Sequence, residues 1–510
     1  MAIRGVEPDA GERVGRKFGG FSKMTKANRL HVAIVAAALC LGASAVSPKY
    51  MFVFIGDGMS VPQRMTAEEF ARKTGHGPLV MNALPYQATT RTCSTTSLIT
   101  DSAAAATAIA CGSKTYNGAV GVDADKKRLV SVAELAKKAG RKVGIVTTTT
   151  ISHATPAGFY AHRESRSKGY QIGLDLIASG VDYFAGGGFG GAENDTNDVN
   201  YVGNIYDLAA KAGYTVISNR VAFNALKPGC GKAIVRAVSG KCPFAIDIMN
   251  MAASEKGATI SLAEMTAKGV ELLDGPDGFF MMVEGGIIDH SGHANDAATN
   301  LREVLMLDSA VKVAVDFMDR HPDETLIVVT GDHETGGMAM GFASTGYSMH
   351  VEWLAFQKCS IAAFISKLAG DAKAAAANGR KLDFDDYAKP LLADQFGLHF
   401  RVTGDEVEAN DDAAGGKFAK AGEGATGDPM LVSAADEKLL RDAFAGTADG
   451  AKKFGSAVRQ LMSRKAGIGW SSGAHTALPV LSTSKGVGAE KLIGFIDNSD
   501  LGCKMKALFE

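Results

Sequence analysis

Asp289 and His293 stand four residues apart in the stretch FFMMVEGGIIDHSGH, residues 279–293. On a helical turn that spacing puts a carboxylate and an imidazole on one face, a pair suited to a divalent metal. Glu284 follows the apolar run Phe279–Val283, which has the length and character of a buried parallel strand. Seen alone, the stretch reads as well as a strand ending in a polar loop with a surface histidine. The pattern recurs, however. Tyr50–Ile55 leads into Gly56-Asp57-Gly58, and Thr325–Thr330 leads into Gly331-Asp332-His333-Glu334. Three such runs are hard to attribute to chance, and the carboxyl ends of strands are where open α/β sheets build their sites.

Of the 11 histidines, His153, His290, His293, His333 and His475 fall in Gly-, Asp- or Thr-rich segments after strands. His76, His162, His321, His350 and His399 lie in polar or helical contexts with no acidic partner pattern. Mixed imidazole and carboxylate donors favour zinc, whereas oxygen-only sets favour magnesium. Asp289, His293 and His475 would make one zinc site with an open position. Asp57, Asp332 and His333 would make another, with Ser102 as a further ligand. Asp57, Thr155 and Glu284 supply oxygen only, which suits a partly hydrated Mg²⁺. Two metals about 4 Å apart clamp the attacking and leaving oxygens of phosphoryl transfer. Ser102 lies between Thr100-Asp101 and an AAAATAIA run, so Asp101 is expected at a helix N-cap. Ser102 would then sit at the amino end, where free N–H groups and the helix dipole favour an anion. It has no obvious histidine base, so as a nucleophile it would need a metal to lower its pKa.

These residues need elements to carry them. Capping boxes at Ser131-x-x-Glu134 and Ser261-x-x-Glu264 predict helices over Val132–Ala139 and from Leu262 through Leu273. Lys142–Thr147 reads as a strand, and Pro156 predicts a helix with Thr155 at its N-cap, continuing through Ala161 to Arg166. Ile205–Ala212 reads as helix, Thr215–Ile217 as strand, and Glu303–Met318 as an amphipathic helix. From about Gly341 to Ala466 the chain is Ala-, Lys- and Asp-rich and mainly helical in outline, with a mobile loop expected at Ala409–Gly427. Strands resume around Trp470–Thr476, Pro479–Leu481 and Leu492–Ile496. The expected class is α/β: a three-layer sandwich with a mostly parallel central sheet flanked by helices, plus a largely helical insertion. Its core would be residues 46–340 and 467–510, with 341–466 inserted.

The chain has 510 residues, and 54 Lys+Arg against 55 Asp+Glu leave a net charge of −1, which gives no support for a nucleic-acid partner. Leu30–Gly42 is a short apolar run after Lys23, Lys26 and Arg29, ending in Ala43-Ser44-Ala45. That pattern predicts a signal peptide within residues 1–45 and export to the periplasm or beyond, with no membrane span in the mature chain. Setting Cys40 aside leaves six cysteines, of which Cys230 and Cys242 are the expected local bridge and Cys111 a buried thiol.

Taken together, GDGM at Gly56–Met59, TDSAAAATA at Thr100–Ala108, HATP at His153–Pro156, VEGGIIDHSGH at Val283–His293, GDHETGG at Gly331–Gly337 and AHT at Ala474–Thr476 resemble the alkaline phosphatase family. The resemblance runs from about Tyr50 to Gly341 and from Gly467 to Asp500. It implies Ser102 as nucleophile, forming a phosphoserine, and Arg166 as the clamp on the phosphate. It implies the same three metal sets, two of zinc and one of magnesium, acting on phosphate monoesters with little selectivity for the alcohol. The oligomeric state is left open, a homodimer being one option. His153 and His290 stand where enterobacterial members have an aspartate and a lysine, and resemble the pair of animal and some marine bacterial members. Both are expected at the substrate. Imidazole is mostly neutral at alkaline pH, so His290 should hold product phosphate less tightly than a lysine would. Rival readings are a phosphodiesterase of the same superfamily and an exported phosphate-binding protein. A sulfatase would want Cys or Ser followed by x-Pro-x-Arg, which Ser102-Ala103-Ala104-Ala105 does not supply.

Overall fold

Strand side chains alternate between two faces, and the apolar runs fill both. The computed structural model describes residues 47–343, 345–401 and 428–509, so the expected export segment and the loop at Ala409–Gly427 lie outside the described residues. In chain order its strands are β1 Tyr50–Gly56, β2 Tyr86–Arg91, β3 Lys142–Thr150, β4 Tyr183–Gly187, β5 Tyr214–Ile217, β6 Lys232–Val238 and β7 Phe279–Gly285. There follow β8 Thr325–Gly331, β9 Glu334–Thr335, β10 Met338–Met340, β11 Ile468–Trp470, β12 His475–Thr476, β13 Val480–Gly486 and β14 Gly494–Asp497. Ten of them form one sheet in the order β14-β2-β13-β8-β1-β7-β3-β4-β6-β5. Only β13 runs against its neighbours β8 and β2; the other pairings are parallel.

Tyr50, Phe52 and Phe54 of β1 enter one core with Phe279, Met281 and Val283 of β7 and Ile327 and Val329 of β8. The helices Leu262–Leu273 and Ala297–Met318 close that face. Met51, Val53 and Ile55 enter a second core with Phe280, Met282, Leu326 and Val328, covered by helices such as Ser102–Cys111 and Val132–Lys138. The result is helix, sheet, helix, as the α/β reading predicts, with β1, β7 and β8 buried on both faces. A third cluster lies within residues 361–462 and joins Phe364, Phe396, Phe454 and Leu461 of the helices that follow β10. Among the described residues no strand forms between Gly341 and Gly467.

Several expectations need correction. The helix after Pro156 is one turn, Ala154–Ala157, with His153 and not Thr155 at its N-cap. It stops because Gly158 packs on the Ser102–Cys111 helix, and Arg163 is drawn into an antiparallel bridge with Val120, bonded both ways at 2.9 and 2.8 Å. That extended pairing outweighs the weak helix preference of Gly158-Phe159-Tyr160. The Glu303–Met318 helix starts earlier, at Ala297, where the Asp296 side chain accepts from Thr299 N. Cys230 and Cys242 are unbridged. They flank the seven-residue strand β6, whose length of about 23 Å exceeds any disulfide span. Cys111 is a buried thiol, its pKa pushed up to about 12 by burial. His162, His321, His350 and His399 do have acidic neighbours, Glu134, Glu324, Glu352 and Asp428, at 2.6–3.5 Å.

Candidate active site

Three adjacent strands end level with one another. Gly56 of β1 pairs with Gly285 of β7 and with Gly331 of β8, so Asp57 and Asp332 emerge level just past the sheet's carboxyl edge, and Glu284, paired with Ile55, lies at the end of β7 beside them. Gly58 turns the chain after Asp57 with φ +72°, and a Cβ there would meet Thr335 Oγ1 at 2.7 Å and Asp289 Cα at 2.9 Å. Glycine is required because the turn is both left-handed and packed against the next loop.

The first set is Asp289, His293 and His475. Asp289 and His293 share a face of the short helix Ile287–His293, as their spacing predicts. His475 arrives on β12, a two-residue strand paired with β9. His293 Nδ1 donates to Gly473 O at 2.8 Å and His475 Nδ1 donates to Thr100 O at 2.8 Å. Each neutral ring therefore carries its proton on Nδ1 and turns the lone pair of Nε2 inward. The two Nε2 atoms lie 3.2 Å apart, and 3.4 and 3.5 Å from the Asp289 oxygens. Two inward lone pairs beside a carboxylate are satisfied by a cation at that point.

The second set is Asp57, Asp332 and His333. His333 Nε2 lies 3.2 Å from Asp57 Oδ1, 3.3 Å from Asp332 Oδ2 and 3.2 Å from Ser102 Oγ. Gly58 N and His333 N both donate to Asp332 Oδ1, fixing that carboxylate. Ser102 is the first residue of its helix, and Asp101 caps it by accepting from Ala104 N at 3.0 Å. Thr335 joins the two sets: its hydroxyl donates to Asp289 Oδ1 at 2.5 Å and lies 3.2 Å from His333 Nδ1.

The third set gathers Asp57, His153 and Glu284, with Thr155 Oγ1 donating to Asp57 Oδ2 at 3.4 Å. Thr147 and Thr149 hydroxyls donate to Glu284 Oε2. Arg166 Nη1 pairs with Asp101 Oδ2 at 3.1 Å and Nη2 donates to His153 Nε2 at 3.0 Å. That bond leaves the His153 proton on Nδ1, which faces Glu284 and Asp57 at 3.7 and 3.9 Å. His290 meets His153 edge to face, ring centres 6.3 Å apart, and its Nδ1 lies 3.0 Å from Lys241 Nζ. Burial, then the Lys241 charge, push His290 down to about 4.

Four buried carboxylates around one pocket are costly without cations. Burial, then Asp332, Asp289 and Glu284, hold Asp57 well above the usual carboxylate range, and burial raises Asp332. Burial also acts to raise Glu284 and Asp289, but the neighbouring histidines win and hold both below their ordinary values. Asp57 Oδ1, Asp332 Oδ2, Glu284 Oε1 and His153 Nδ1 are buried with no hydrogen-bond partner. Orphaned oxygens of this kind, converging from three strands, fit divalent metals. The structure thus brings every residue singled out from the sequence to one edge of the sheet. Reading the sequence missed Thr335 and Lys241. Thr335 lies within the GDHETGG motif that names its neighbours, whereas nothing local marks Lys241, which reaches His290 across 49 residues.

A sequence model of the family described as alkaline phosphatase matches residues 48–510. The repressible alkaline phosphatase of Saccharomyces cerevisiae is 33% identical over 59% of this chain, which spans 57% of the yeast protein's length. Alkaline phosphatase 3 of Bacillus subtilis is 30% identical over 89% of this chain and 87% of its own. Among solved structures, a cold-active alkaline phosphatase from the psychrophile Shewanella sp. superposes with a TM-score of 0.72 at 25% identity, covering 90% of this chain and 100% of that one.

Proposed function

The chain belongs to the alkaline phosphatase family and is a phosphatase, and from that premise we propose that it hydrolyses a broad range of phosphate monoesters through a phosphoserine on Ser102. Asp289, His293 and His475 would hold one zinc ion, Asp57, Asp332 and His333 a second, and Asp57, Thr155 and Glu284 a magnesium ion. The observation that carries this reading is the cluster of orphaned carboxylate oxygens and inward imidazole lone pairs at one sheet edge, with His333 Nε2 3.2 Å from the Ser102 hydroxyl. When bound, such ions lower the pKa of a hydroxyl or water and stabilise a leaving oxygen.

The chain's own residues then do the rest. Arg166, braced by Asp101, presents its guanidinium to two non-bridging oxygens and aligns the phosphoryl group. Ser102 Oγ, its proton lost to water, bonds to phosphorus while the bond to the departing alcohol breaks and that alcohol takes a proton from water. Water next attacks phosphorus from the vacated side and gives up a proton, the Ser102–phosphorus bond breaks, Ser102 Oγ regains a proton, and phosphate leaves. The free N–H groups at the amino end of the Ser102–Cys111 helix favour the anion throughout. A phosphate-binding protein without metals fits poorly, because four facing carboxylates would repel the anion.

p-Nitrophenyl phosphate hydrolysis should vanish on chelation and return with Zn²⁺ plus Mg²⁺. Full activity in protein shown by elemental analysis to be metal-free would refute the reading.

A further inference from the structure

Lys241 lies on the loop after β6, and main-chain bonds fix that loop at the same sheet edge as the site. Gly188 N donates to Val238 O at 2.8 Å, Gly190 N to Ser239 O at 3.1 Å and Cys242 N to Thr148 O at 2.9 Å. The side chain crosses the Phe244 ring, with Nζ 4.9 Å from its centre, and ends 3.0 Å from His290 Nδ1. Among the described residues no carboxylate comes within 4.0 Å of that ammonium, and Glu303 and Asp289 act on it only from farther away. An ammonium only donates, so His290 Nδ1 must accept, and the neutral ring carries its proton on Nε2. On the other flank Arg166 donates to His153 Nε2, and the two imidazoles meet edge to face. Two fixed cations from distant segments thus end one row of side chains, Arg166–His153–His290–Lys241, in which each cation meets an imidazole.

We propose that Lys241 is the positioning cation of the phosphate site: it holds His290 as an Nε2–H donor and adds a second positive charge for bound phosphate opposite Arg166. The ammonium that the sequence lacks at position 290 is thereby supplied from another loop. This inference rests on the phosphatase reading above.

The test titrates inorganic phosphate into zinc- and magnesium-loaded protein by calorimetry. Lys241→Met should raise the phosphate Kd about tenfold, the range of one charge-assisted hydrogen bond. Lys241→Arg, which keeps charge and donors, should stay within about threefold of wild type. KM should rise in Lys241→Met without a matching fall in kcat. In ¹⁵N-histidine-labelled wild type, His290 should show a protonated Nε2 and an accepting Nδ1. A Lys241→Met protein with wild-type metal content and unchanged phosphate Kd would overturn the proposal, and so would a protonated Nδ1 on His290 in wild type. Wild type that binds no phosphate at all would instead remove the phosphatase reading beneath it.

Discussion

Glu303 shows how one buried side chain sets a pH dependence for the whole protein. It sits on the Ala297–Met318 helix, and its Oε1 accepts from Ala245 N at 2.6 Å. Burial, with Asp247 adding to it, pushes its carboxyl up to about 8. A group whose folded pKa is raised contributes stability that is present below its unfolded pKa of 4.5 and is lost as pH rises through 8. Glu303→Gln keeps the accepting oxygen and removes the titration. Its stability advantage over wild type should therefore grow between pH 5.5 and 9.5, by on the order of 2 kcal/mol. Urea unfolding of metal-loaded protein at the two pH values measures it. A difference that stays constant with pH would mean Glu303 is not held neutral. Thr335 makes a second point at this scale: one hydroxyl orients a carboxylate of one ligand set and an imidazole of the other, so the two sets are positioned together.

Elements matter here for what they deliver, and the weakest delivers His475. β9 and β12 pair over two residues each, too short a ladder to hold a candidate metal ligand unaided. Glu334 braces it, accepting from Gln63 Nε2 at 2.7 Å, from Gly337 N and Met338 N at 3.0 Å, and from Thr476 Oγ1. Glu334→Ala orphans these buried donors and should destabilise by about 2–4 kcal/mol. It should also weaken zinc at the Asp289–His293–His475 set at least tenfold while sparing the Asp57–Thr155–Glu284 set. Chelator competition followed by elemental analysis checks this; equal loss from both sets would contradict it. Much at this scale was legible because its signals are local. The capping boxes at Ser131 and Ser261 form as their spacing predicts, and the apolar runs ending in acid become β1, β7 and β8. The reading passed over β2, β4 and β6. β2 is half exposed and Thr-rich, β4 dissolves into glycines, and β6 carries charge at Lys232 and Arg236, so none shows a clean apolar run. The helix expected through Arg166 failed for a nonlocal reason, the Val120 bridge, which no window of sequence contains.

In the whole molecule, the site draws its candidate ligands from segments as far apart as Asp57 and His475, while the described residues between 361 and 462 pack around a core of their own. Among their contacts with the site's surroundings, Arg459 Nη1 reaches Ala294 O and Ile361 N donates to Asp296 Oδ2 at 2.8 Å. We read the 341–466 region as acting on access or assembly. Replacing it with a short linker should leave both zinc sets filled in a folded variant; metal-free folded protein would place a missing ligand inside it. The joint arrangement was readable from motifs because the candidate ligands stand at strand ends or on the short helical turns that follow them, where the fold itself fixes the position. Lys241 was not, since a loop lysine among 54 basic residues carries no sign of its partner. The central claim, that this ensemble exists to make Ser102 a nucleophile, is tested most directly by rapid-quench labelling. Metal-loaded protein is mixed with [³²P]p-nitrophenyl phosphate, quenched in acid within one turnover and digested for peptide mapping. Label should sit on the peptide containing Ser102 and be absent from Ser102→Ala. Label that persists in Ser102→Ala, or none in active wild type, would contradict the account.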